Sequence, residues 1–222
     1  MSKNSSNLFY LGVFLCVVCA AAAGIMGSAA ALTREPIEGA KVKKVADGLR
    51  EVLPAFDNDP MKDSAQVGDV LFYHAEKDGK TVGYAARTSV SSGYGGRIEA
   101  LISFQPDGAV RTFIVTGHSE TPGLGSQAVD RVRKRTLAGL IRGEKEPEGL
   151  PPNKILDQYV GHSGAEAVKD TWKRPWKLQK DGGNAEHVTG ATISSRAVNE
   201  LAWKAASAFE AYQAARKEGK SK

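Results

Sequence analysis

No charged residue interrupts the chain from Leu8 to Leu32. As a helix rising ~1.5 Å per residue this run reaches about 37 Å, enough to cross the apolar layer of a bilayer. An amphipathic pattern follows. Val42, Val45, Ala46, Leu49, Val52, Leu53 and Phe56 recur at spacings of three and four, which predicts a short helix over about 39–53 with Pro54 near its end. From 69 to 116 the signal changes to that of strands, over 70–75, 81–88, 98–104 and 110–116. Asp78-Gly79 and Pro106-Asp107-Gly108 stand between apolar runs as hairpin turns, so the strands form an antiparallel meander. Helical spacing returns at Ala128, Val129, Val132, Leu137, Leu140 and Ile141, ends near Gly143, and gives way to a Glu/Pro-rich loop through Pro147, Pro151 and Pro152. The last element is a helix starting near Ser194, whose apolar face is Val198, Leu201, Ala202, Ala205, Ala208, Phe209 and Tyr212, with no Gly or Pro before Gly219. The expected class is α+β: a single N-terminal transmembrane helix, then one domain with an antiparallel meander and a long C-terminal helix. The expected boundaries are 1–32 for the tail and anchor, 33–60 for a juxtamembrane amphipathic helix or linker, and 61–222 for the domain.

Composition narrows the function classes. The 222 residues are 41% apolar and 25% charged, a globular balance. Of the net charge of +5, only Lys3 precedes Arg34, and the basic residues beyond are interleaved with acidic ones, as in Asp130, Arg131, Arg133, Lys134 and again in Glu144, Lys145, Glu146. This is a solvated surface with no basic stripe, so no nucleic-acid partner is expected, and the stretch from Arg216 to Lys222 reads as a frayed tail. Cys16 and Cys19 both lie inside the apolar run, where they pack as small apolar side chains and leave the domain without a disulfide or thiolate site. His74, His118, His162 and His187 show no ligand spacing, and no metal site is expected. Ser28-Ala29-Ala30-Ala31 has the small residues of a signal cleavage site, but the apolar run exceeds the roughly 7–15 residues of a signal core, which favours a retained anchor. Lys3 before the span and Arg34, Lys41, Lys43 and Lys44 after it leave sidedness open, because charge counting loses force when a long domain follows.

Chemistry concentrates at Thr189-Gly190-Ala191-Thr192-Ile193-Ser194-Ser195-Arg196, where the last helix begins. A helix start leaves N–H groups without acceptors and carries partial positive charge, which suits a phosphate. Gly190 permits a sharp turn, and Thr192, Ser194 and Ser195 place three hydroxyls there. The residues alone fit a helix cap equally well, since Thr and Ser are ordinary capping residues.

The string Thr-Gly-Ala-Thr-Ile-Ser-Ser resembles the flavinylation motif of the covalent FMN-binding domain family. Two further stretches resemble the same family in the same order: Gly93-Tyr94-Gly95-Gly96, and His118-Ser-Glu120-Thr121-Pro122-Gly123-Leu124-Gly125. The resemblance covers about residues 8 to 212. Within the family the pattern is most similar to the G-type subunits of Rnf ion-translocating electron transport complexes, with the C-type subunits of sodium-translocating NADH:quinone reductases as runner-up. It implies FMN joined through a phosphoester to Thr192 by a separate Mg²⁺-dependent flavin transferase, at a site that includes Thr189, Gly190, Ala191, Ser194 and Ser195. Arg196 could add a charge-assisted hydrogen bond to the phosphate, though a solvent-facing place in the first turn accounts for it as well. The resemblance implies a pocket wall from Glu120, Thr121, Gly123 and Leu124, whose glycines let backbone approach the flavin ring, and a rim from Gly93 and Tyr94. Trp172, Trp176 and Trp203 are candidates to stack on the ring, though core packing accounts for each as well. The family's usual Asp six positions before the modified Thr is here Glu186, which keeps the carboxylate. The implied function is electron transport by a membrane-anchored flavoprotein without turnover of its own, whose partners are the other membrane and peripheral subunits of a complex moving H⁺ or Na⁺. The implied location is the cell inner membrane, with the domain on the periplasmic side. The competing reading is a non-redox extracytoplasmic interaction module in which Thr-Gly-Ala-Thr only caps a helix.

Overall fold

The computed structural model describes residues 3–132, 149–163 and 176–219. Two compact units divide at Val45/Ala46. The first is apolar helix: α1 runs Lys3–Val52, and its hydrophobic part has mean hydropathy 2.3 and no buried residues in its most apolar window, so it is long and apolar enough to cross a membrane. The sequence predicts a separate helix over about 39–53, whereas α1 passes through Pro36 without a break. Pro36 deletes one backbone donor and leaves the rest of the helical hydrogen-bond ladder to hold the turn.

The second unit is built on a five-stranded sheet in the order β1 (Ser64–Val67), β2 (Val70–Lys77), β3 (Lys80–Gly93), β4 (Gly96–Phe104), β5 (Val110–Gly117), each strand antiparallel to the next. Asp78 and Gly79 take φ of 51° and 70°, the left-handed pair that closes a tight hairpin between β2 and β3. The edge strand β1 is missed by pattern reading because it is short and almost wholly exposed, so it carries no alternation.

Alternation along β3 divides the sheet into two faces. Tyr84, Ala86 and Val90 join Phe72, Ile98, Ile102 and Phe104 against the final helix, α4 (Thr192–Gly219). Ala197, Ala202, Ala205 and Ala206 let α4 lie close to the strands, and Phe209 stacks on Phe104 with ring centroids 4.4 Å apart. On the opposite face, the end of α1 packs through Leu49, Val52 and Leu53, all buried. A Cβ at Gly48 would stand 2.7 Å from Leu101 Cδ1, so the approach there depends on glycine.

Two expectations are corrected. The helix expected to run from Ala128 to Ile141 is only α2 (Ser126–Val129) within the described residues. Asp130 is extended, its carboxylate held by His118. The next residue, Arg131, is largely buried with its guanidinium on the carbonyls of Phe113 and Pro151 and on Asp157, contacts that an advancing helix would carry away. Leu137, Leu140, Ile141, Gly143 and Pro147 lie outside the described residues. Arg216, expected in a frayed tail, belongs to the body: it donates to the Tyr212 hydroxyl at 3.0 Å and lies over the Tyr84 ring. Short helix α3 (Lys154–Asp157) is capped by Asn153, whose side-chain oxygen accepts from the N–H groups of Ile155 and Leu156.

Candidate functional site around the start of the last helix

Ala191 precedes the first helical residue of α4, Thr192. The turn before it is closed by Ser195, whose hydroxyl donates to the Ala191 carbonyl and accepts from the Val188 N–H, while Gly190 takes φ of 86° to bring the chain round. Ser195 is also the first residue of the helix whose N–H finds a backbone acceptor, the Ala191 carbonyl at 3.0 Å. The N–H groups of Thr192, Ile193 and Ser194 therefore remain at the positive end of the helix. Ser194 is buried and donates to Glu120 Oε2 at 2.6 Å. Of the three hydroxyls in this turn, only that of half-buried Thr192 has no hydrogen-bond partner among the described residues. It caps nothing.

Thr192 opens on a cavity of about 280 Å³ whose walls come from all three motif segments: Tyr94 from the β3–β4 turn, Thr121, Leu124 and Gly125 from the loop after β5, and Gly190 to Ser194 from the start of α4. Tyr94, Leu124 and Ile193 are large apolar side chains left 70%, 49% and 48% exposed around its mouth. Ile193 stood in the quoted string without a role of its own, and Gly125 was expected only as one of the wall's glycines; both line the cavity.

The remaining sequence candidates lie outside this lining. Thr189 is exposed on the turn, and Ser195 is spent on closing it. Gly123 takes φ of 77° and donates its N–H to Ser126 Oγ, so its role is the bend before α2. Glu120 is only 5% exposed and lies beneath the cavity floor, where Gly93 and Gly125 come close to its carboxylate. A Cβ at Gly93 would be 2.6 Å from Glu120 Oε1, and one at Gly125 would be 2.3 Å from Oε2. Arg196 turns away from Thr192 to pair with Asp181 through two hydrogen bonds of 2.6 and 2.8 Å. These bonds hold the Asp181 carboxyl below the usual carboxylate range. Glu186 pairs with Lys154 at 2.6 Å.

Ile193 also walls a larger neighbouring cavity of about 660 Å³, with Leu178, Arg196, Glu200 and Trp203 among its other walls. Trp203 is half-buried there, Trp176 is fully buried in the core, and Trp172 lies outside the described residues.

The sequence profile of the FMN-binding domain family matches residues 93–207, from the turn that carries Tyr94 to the middle of α4. The chain belongs to the FMN-binding domain family. The matched span contains every wall of the Thr192 cavity. The chain is 29% identical over 202 residues to the G-type subunit of the ion-translocating oxidoreductase complex of Vibrio cholerae serotype O1, covering 86% of this chain and 83% of that one. It is 29% identical over 198 residues to the G-type subunit of the proton-translocating ferredoxin:NAD(+) oxidoreductase complex of Clostridium ljungdahlii, covering 89% of each. The corresponding G-type subunit of Haemophilus influenzae is 29% identical over 175 residues, with 75% and 73% coverage. For an FMN-binding domain the chemistry of the site fits the cofactor: a phosphate suits the bare N–H groups at the helix start, and an aromatic ring suits the exposed apolar side chains around the mouth.

Proposed function

We propose that this FMN-binding domain carries FMN covalently on Thr192 and serves as the electron-carrying G-type subunit of a membrane complex that couples oxidoreduction to translocation of H⁺ or Na⁺. Bound FMN supplies one- and two-electron redox chemistry. The observation that carries the reading is the Thr192 hydroxyl, half-exposed at the helix start and without a partner among the described residues, while both neighbouring serine hydroxyls are engaged. Among the described residues none beside it is an evident base, so activation falls to a separate flavin transferase acting with Mg²⁺ on FAD. In that transfer Thr192 Oγ1 would bond the phosphorus on the flavin side of the pyrophosphate, its proton passing to the transferase and AMP leaving. The N–H groups of Thr192, Ile193 and Ser194 would hold the phosphodiester, and Tyr94, Leu124 and Ile193 would offer apolar surface to the ring. Among the described residues no hydrogen bond supports a capping role for Thr192.

The similarity to subunits of translocating oxidoreductases in three organisms supports the assembly with other membrane and peripheral subunits. Helix α1 supports an anchor that keeps the domain near them. The domain is proposed on the periplasmic side of the inner membrane. The decisive experiment is denaturing electrophoresis of the chain from its own host under ultraviolet light. A fluorescent band at 23.6 kDa that disappears in Thr192→Ala supports the reading, and a dark band in the unaltered protein from a host with flavin transferase overturns it.

A further inference from the structure

Beneath the cavity lies a carboxylate that the proposed function does not use. Glu120 is 5% exposed, and no cation lies within ion-pairing distance of it among the described residues. Its two oxygens serve two different segments: Oε1 accepts the Gly95 N–H at 3.1 Å, and Oε2 accepts the Ser194 hydroxyl at 2.6 Å. Its own N–H donates to His118 Nδ1 at 3.1 Å, which makes Nε2 the protonated nitrogen of that ring and directs it to Asp130 Oδ1 at 2.7 Å. A Cβ at Gly125 would run into this carboxylate, one at Gly93 would meet it and the Gly96 carbonyl, each at 2.6 Å, and one at Gly95 would run into the Ser119 carbonyl. Three segments far apart in sequence thus converge on one side chain that does not itself line the cavity.

We propose that Glu120 is a positioning residue that ties the Gly93–Gly96 turn to the first turn of α4 and so presents the Thr192 hydroxyl and the Tyr94 ring to one another across the cavity; this rests on Thr192 being the flavin acceptor. Ser194 is two residues after Thr192 in the same helical turn, so a bond that fixes its hydroxyl fixes the backbone that carries Thr192. Glutamine in place of Glu120 keeps both ties in altered sense, its amide oxygen accepting from Gly95 and its amide N–H donating to Ser194 Oγ. Alanine loses both.

The test uses the full-length chain in detergent with purified flavin transferase, FAD and Mg²⁺, with covalent flavin read by intact mass. Removal of a charge-assisted hydrogen bond is expected to lower the maximal rate of flavin incorporation in Glu120→Ala by roughly tenfold or more, with little change in the chain concentration giving half that rate. Ser194→Ala, which removes one bond and leaves the Gly95 tie, is expected to lower it less, and Glu120→Gln to restore it. Amide hydrogen exchange on the same chains without flavin is expected to quicken at Gly95 and through Ser195 in Glu120→Ala, with the far end of α4 unchanged. Unaltered flavin incorporation in both alanine variants would overturn the proposal, as would a Gln variant as slow as Ala, since charge and not position would then be what Glu120 supplies. If the unaltered chain accepts no flavin, the acceptor reading of Thr192 fails first, and unchanged exchange in the alanine variants would show separately that the tie does not hold the turn.

Discussion

Single side chains around Thr192 divide the labour of the site. Ser195 closes the turn, Ser194 fastens it to Glu120, and Arg196 is drawn off to Asp181, which leaves one hydroxyl unengaged among the described residues. Sequence reading singled out the string by residue type, offering its hydroxyls to a phosphate and leaving Arg196 between the phosphate and solvent. What it lacked was the partner of each, since Glu120 is 74 positions away from Ser194 and Asp181 is 15 from Arg196. The Asp181–Arg196 pair carries a pH signature. The folded carboxyl is held below its ordinary value near 4, so its contribution is present above that pH and is lost as acid protonates it. Between about pH 5 and 3 the urea midpoint of Asp181→Asn is therefore expected to fall less steeply than that of the unaltered chain. Parallel curves would show that the pair adds nothing to stability, as exposed ion pairs often do.

At the scale of elements, hairpins and the long helix were legible because their signals are local. Asp-Gly pairs fix turns within a few residues, and the face of α4 repeats over many. The length of α2 was not legible. Ala128 and Val129 are buried and Val132 is 64% exposed, so the apolar spacing continues past the point where Asp130 and Arg131 leave the helix for long-range partners. The seam between α4 and the sheet rests on Phe209, which lies against Phe104, Phe72 and Tyr84. Phe209→Ala is expected to lower unfolding free energy by about 3–5 kcal/mol in denaturant titration. A loss under about 1 kcal/mol would mean that the strands close over the vacated space.

For the molecule as a whole, the division at Val45/Ala46 falls inside α1, so one helix serves both the apolar segment and the folded unit. Leu49, Val52 and Leu53 cover one face of the sheet, and each fully buried side chain of this kind is worth roughly 1.5–3 kcal/mol. A chain beginning at Ala46 is expected to unfold cooperatively and sediment as a soluble species. One beginning at Ala55 should lose several kcal/mol and associate through the uncovered face, and equal stability of the two would refute this account of the packing. The seat of Thr192 has a mechanical corollary. A group esterified there is moored to the first turn of a 28-residue helix whose next turns are locked into the core. Any swing it makes towards an exchange partner must come from its own flexible arm or from travel of the protein as a body, never from a yielding loop.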